Sequence, residues 1–159
     1  MTTPISNHAG GISFVAFVVA VAVSIGYYQF VYVPQVNAKP ILPEEVLNPE
    51  KTAEVIIVPG SSLDSNGKFF EPKNLRTTIG IDNRVVWKNN DTVPHTVTTD
   101  TGYVDKINGK FESQARAEEP FVMPGKDYTF TFTAVGKYPY HCEPHPWMQG
   151  EVEVVENFA

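Results

Sequence analysis

Apolar residues follow two different patterns along this chain. Residues 12–33 form one apolar run in which only Ser13, Ser24 and Gln29 are clearly polar. At about 1.5 Å per residue the run makes a helix of roughly 33 Å, close to the roughly 30 Å hydrocarbon core of a bilayer. Tyr27, Tyr28 and Tyr32 gather at its C-terminal end, where amphipathic rings favour the membrane interface. Residues 34–52 then carry Pro34, Pro40, Pro43 and Pro49. This composition predicts a semi-rigid spacer with a reach of at most roughly 59 Å, reduced by any helical turn near Glu44–Leu47. From Ala53 on, the pattern changes to short runs rich in Val, Ile, Thr and aromatic residues. These predict strands at 54–58, 77–81, 84–88, 96–99, 128–133, 138–142 and 151–155, separated by Gly, Pro, Asn and Asp. The segment 103–120 is polar and irregular, a long loop or a short helix over 113–118. The expected fold is therefore an all-β sandwich over residues 53–159. Ahead of it lie an N-terminal tail (1–11), one transmembrane helix (12–33) and a Pro-rich linker (34–52).

Charge sharpens the division. All Lys and Arg residues lie at or after Lys39 and all acidic residues at or after Glu44. The competing reading of the head is a cleaved secretory signal, with Val36-Asn37-Ala38 as the cleavage site. A signal peptide has an apolar stretch of about 7–15 residues after a basic segment. This run is longer and nothing basic precedes it, which favours a retained anchor. The flanking charges do not set its orientation. The formal net charge of −6 argues against nucleic acid as a partner.

A single cysteine, Cys142, excludes an intrachain disulfide, a four-cysteine zinc site and an iron–sulfur cluster. Its surroundings point to a different metal. Cys142, His145 and Met148 are spaced by three and three, and Pro144 and Pro146 bar a helix between them. A thiolate, imidazoles and a thioether form a soft donor set. Two His and one Cys around a metal, with a long axial Met, is the arrangement of blue-copper electron transfer. The second imidazole comes from His8, His95 or His141. His8 precedes the apolar run. His141 adjoins Cys142, and neighbours on a strand face opposite ways. His95 is left, giving a site of His95, Cys142, His145 and Met148 for one copper ion. At Met148 an alternative stays open, an axial position that is empty or held by water.

The segment Tyr140-His141-Cys142-Glu143-Pro144-His145-Pro146-Trp147-Met148, followed by Gly150 and an alternating strand, resembles the copper loop of the cupredoxins, most closely the amicyanin branch. The resemblance extends to Val86-Trp87-Lys88-Asn89 ahead of Pro94-His95, to Phe111-Glu112-Ser113, and to Pro124-Gly125 before Tyr128. It implies a Greek-key sandwich, a type 1 copper and single-electron transfer rather than enzymatic turnover. It also implies that His145 reaches the surface as the electron's entry point, within an apolar rim of Pro94, Pro144, Pro146, Trp147 and Met123. Many cupredoxins place Asn after the first histidine to tie the two ligand loops together; here that residue is Thr96. The implied partners are membrane-associated redox proteins, with the copper domain outside the cytoplasm. Two other readings share these residues. One is an open copper site reacting directly with a small molecule such as nitric oxide. The other is an accessory copper subunit of a membrane oxidase, though not its binuclear acceptor, which needs two cysteines.

Overall fold

The uncharged head is helical. A computed structural model describes residues 7–115 and 119–158 of the chain, which divides into two units, residues 1–39 and 40–159. In the first unit, helix α1 (Asn7–Tyr27) continues through a π-helical turn (Tyr28–Tyr32) into the short α2 (Val33–Val36). Pro34 has no N–H for the carbonyl four residues back. The turn ahead of it widens, and the Val33 N–H donates to the Tyr28 carbonyl. The span Ser13–Val36 is long and apolar enough to cross a membrane, and none of its hydrophobic window is buried. An anchor and a signal sequence share that property.

The second unit begins on the spacer. Helical turn α3 (Glu44–Leu47) is tied to the β domain. Asn83 Nδ2 donates to the Val46 carbonyl at 2.8 Å, and the Lys51 N–H to the Ile81 carbonyl at 3.1 Å. Residues 46–51 are thus held by the domain rather than extended, which removes them from the reach calculated for a free linker.

The strands are β1 (Thr52–Ile57), β2 (Phe70–Glu71), β3 (Asn74–Thr78), β4 (Arg84–Asn89), β5 (Thr98–Thr99), β6 (Val104–Asp105), β7 (Gly109–Lys110), β8 (Asp127–Thr131), β9 (Gly136–Cys142) and β10 (His145–Val155). They form two four-stranded sheets, ordered β2-β1-β4-β8 and β3-β10-β9-β5, with β6–β7 as a separate ribbon. Alternation sorts the side chains. Val85, Trp87 and Asn89 on β4, and Tyr138, Tyr140 and Cys142 on β9, face inward. Phe111, Phe130, Phe132, Val152 and Val154 join them in one hydrophobic cluster.

Three expectations change in detail, the first being the strand over 96–99, which is reduced to Thr98–Thr99. The run 77–81 is not one strand, because Gly80 adopts φ +78° and the Asp82 carboxylate accepts the Thr78 N–H at 2.6 Å. Strand β3 ends at Thr78, and the chain turns there. The final strand begins not at Glu151 but at His145, which pairs with Cys142 of β9; the register then shifts and regular pairing resumes at Gln149. Within 113–118, Ser113–Ala115 is a short 3-10 turn; residues 116–118 lie outside the described residues.

Gly150 sits opposite Tyr140 across the β9–β10 pair. A Cβ there would lie 2.5 Å from the Tyr140 ring and hydroxyl. Phe70 and Trp87 hold that ring on other sides, with centroids at 4.9 and 5.5 Å. Gly150→Ala is expected to destabilise the β domain by about 1–3 kcal/mol, as overpacked cores do. An unchanged unfolding midpoint in urea would contradict this packing.

Candidate metal centre

Three donor atoms converge at one end of the sandwich. Cys142 is the last residue of β9 and faces the core; His145 opens β10 directly across from it. His95 arrives from the connection between β4 and β5, held by a pair of backbone hydrogen bonds with Val122 at 3.1 and 2.8 Å. Cys142 Sγ lies 3.6 Å from His95 Nδ1 and 3.5 Å from His145 Nδ1. Among the described residues, these ligand atoms all lie within 4.8 Å of one another. Metal–sulfur and metal–nitrogen bonds of about 2.3 and 2.0 Å, opened to tetrahedral or trigonal angles, set S and N about 3.5–3.8 Å apart. Both sulfur–nitrogen separations match those of a thiolate and an imidazole on one metal ion.

Met148 follows on β10, fully buried in the same cluster as Cys142. His141 faces away from the core and pairs with Asp100 at the surface. The alternation that excludes His141 from the site is thus the alternation of β9 itself.

Thr96 links the two ligand segments. Its N–H donates to Cys142 Sγ at 3.3 Å, and its hydroxyl accepts the Glu143 N–H at 2.8 Å. A hydroxyl here ties the His95 segment to the cysteine loop. Trp147 donates its indole N–H to the Ser61 carbonyl at 3.1 Å, and its ring lies 5.4 Å from that of His145. It braces the loop as well as bordering it.

Burial sets the protonation. It pushes the Cys142 thiol up, against the Thr96 N–H, so metal must expel a proton to bind the thiolate. Burial also pushes His95 down; contact with Asp91 opposes this and the charge of His145 adds to it. The imidazole is therefore a neutral donor.

Three residues around His95 escape a reading of the sequence alone. Asp91 is buried, and its carboxylate lies 2.9 Å from His95 Nε2. Burial would raise its pKa, but hydrogen bonds from Gly60 N–H, His95, Thr92 N–H and Ser62 N–H hold it at about 2. Asn89 Nδ2 donates to the Val93 and Val122 carbonyls at 2.9 and 2.7 Å, shaping the loop that delivers His95. Ser61 anchors Trp147. The available signal was an acidic residue four positions before a candidate ligand histidine. In sequence, Asn90-Asp91-Thr92 shows only a glycosylation triplet.

Residues 60–155 match the model of the copper-binding proteins, plastocyanin/azurin family. Similar proteins include amicyanin of Paracoccus denitrificans, 33% identical over 85 residues, covering 54% of this chain and 57% of that protein. Chloroplastic plastocyanin of Hordeum vulgare is 34% identical over 96 residues, covering 58% of this chain and 59% of that protein. The chain thus spans less than two thirds of the length of these curated relatives. Among solved structures, a novel purple cupredoxin from Nitrosopumilus maritimus aligns with a TM-score of 0.51 at 30% identity, over 65% of this chain and 99% of that one.

His95, Cys142 and Met148 are each 0% exposed, whereas His145 is only partly buried. Replacing His145 should therefore open the centre from outside. His145→Ala is expected to bind copper with an altered visible spectrum that added imidazole restores. A spectrum indifferent to imidazole would contradict the exposed position of His145.

Proposed function

Because the chain belongs to the plastocyanin/azurin family of copper-binding proteins, we propose that it is a membrane-tethered type 1 copper protein carrying single electrons between redox partners. The observation that carries this reading is the donor set, in which Cys142 Sγ lies 3.6 and 3.5 Å from the Nδ1 atoms of His95 and His145. Copper, when bound, supplies a one-electron Cu(I)/Cu(II) couple, which exchanges fastest where the protein need not rearrange. His95, Cys142, His145 and Met148 would hold it. Thr96, which donates its N–H to Cys142 Sγ and accepts the Glu143 N–H on its hydroxyl, keeps Cys142 and the following loop in register with His95.

Burial of three of these four residues supports a carrier over a site that binds substrate. A small molecule has no direct approach past His95, Cys142 and Met148, while an electron can pass through the exposed edge of His145. Around that edge Phe121 and Met123 are 41% and 46% exposed, and Pro94, Pro144 and Pro146 are exposed as well. The His95–Val122 pairing draws Phe121 and Met123 to this rim. A small apolar face suits a short-lived complex with a redox protein.

We read the apolar helix as a retained anchor that keeps the copper domain on the extracytoplasmic side. Tethering to the membrane of a redox partner raises the effective concentration for each encounter. The expected result for the copper-loaded full chain in lipid vesicles is a reversible titration with about one electron per chain, consistent with a single Cu(I)/Cu(II) couple. Continuous consumption of nitric oxide would contradict the carrier reading. Loss of residues 1–38 from the mature protein, seen by intact mass, would contradict the anchor.

A further inference from the structure

His95 points Nδ1 at Cys142 Sγ, 3.6 Å away, which leaves Nε2 facing the opposite direction. What Nε2 meets there is a carboxylate rather than solvent. Asp91 Oδ2 lies 2.9 Å away, and the two side chains are 0% and 2% exposed. That carboxylate is fixed in turn. Its Oδ1 accepts the N–H groups of Gly60 and Thr92 at 2.9 and 2.8 Å, and Oδ2 that of Ser62 at 3.3 Å. The Asp91 N–H donates to Asn89 Oδ1 at 2.9 Å, which locks the residue's backbone as well.

We propose that Asp91 is a positioning residue of the copper centre, which fixes His95 as the Nε2–H tautomer and favours the Cu(II) state over Cu(I). The proposal rests on the copper reading of the site. An acceptor on Nε2 decides where the single proton of a neutral imidazole sits, and so keeps the Nδ1 lone pair free for metal. A carboxylate in this position also increases the basicity of the ligand. Its full negative charge, held on the far side of one buried ring, attracts a doubly charged ion more than a singly charged one. Asp91 cannot adjust when the metal changes charge, because three backbone N–H groups on two chain segments hold it. The preference is thus built into the fold.

The test uses the full chain in detergent and its Asp91→Asn variant, which keeps the size and one acceptor oxygen but loses the charge. Affinities for Cu(II) and Cu(I) are measured by competition with chelators, together with the reduction potential. The expected loss of Cu(II) affinity is about 10- to 100-fold, the usual effect of removing an outer partner of a metal-bound histidine. Cu(I) affinity should fall by about tenfold less, and each tenfold of selectivity raises the potential by about 59 mV. A selective loss of less than threefold, or a parallel loss of both affinities, overturns the proposal, since a purely structural role affects both states alike. Nitrogen-15 NMR of the copper-free unsubstituted protein gives a readout that does not depend on the variant folding. The proton is expected on Nε2 of His95; a proton on Nδ1 overturns the proposal. A colourless unsubstituted copper protein would overturn the copper reading and this proposal with it, whereas a blue protein with an unselective loss overturns this proposal alone.

Discussion

A cysteine buried between two imidazoles is poorly solvated and hard to ionise, and only a metal or a proton can occupy the space that its sulfur shares with them. Cys142 is in this position. Much of the surrounding architecture serves to keep the three side chains there. The inward alternation of β9 turns the thiol into the sandwich while sending His141 out. The tight return into β10 puts His145 directly across from Cys142. His95 comes from the other side of the chain, through a loop shaped by Asn89 and paired with Val122. Thr96 then joins the two halves with one bond to sulfur and one to the loop backbone.

The same economy extends into the core. Tyr140, two residues before Cys142, is enclosed by Phe70, Trp87 and Phe111. The glycine facing it lets β10 approach Tyr140 closely, and Met148, two residues earlier, is fully buried in the same core cluster as Cys142. Rigid strands rather than mobile loops thus place Cys142, His145 and Met148. For electron transfer this matters more than affinity, because a site that does not rearrange lets the electron move without waiting for the protein.

Much of this was legible in the sequence, for physical reasons that differ from residue to residue. The three-and-three spacing of Cys142, His145 and Met148 is local, and prolines on either side of His145 limit what the loop can do. His95 was reachable by elimination because the chain has so few histidines. Alternation alone separated His141 from the site. The residues supporting His95 were not legible. Asp91 meets Gly60 and Ser62, about thirty positions upstream, only because β1 and β4 run side by side and open at the same end. Two-residue strands such as β2, β6 and β7 have too few positions to show a period. The strand predicted over 77–81 lies earlier, at Asn74–Thr78, because the Thr and Ile pattern does not show that Gly80 has turned the chain. The Pro-rich spacer left room for a helical turn at Glu44–Leu47, but not for the capture of that turn by Asn83, in a different part of the chain.

The most direct measurement is visible absorption together with electron paramagnetic resonance of the full chain loaded with Cu(II) in detergent. If Cys142, His95 and His145 hold the metal, an intense thiolate-to-copper band appears with narrow copper hyperfine splitting, and both disappear in Cys142→Ser. A colourless protein with the wide splitting of an ordinary tetragonal copper would show that the thiolate is not bound, and would contradict the electron-carrier account.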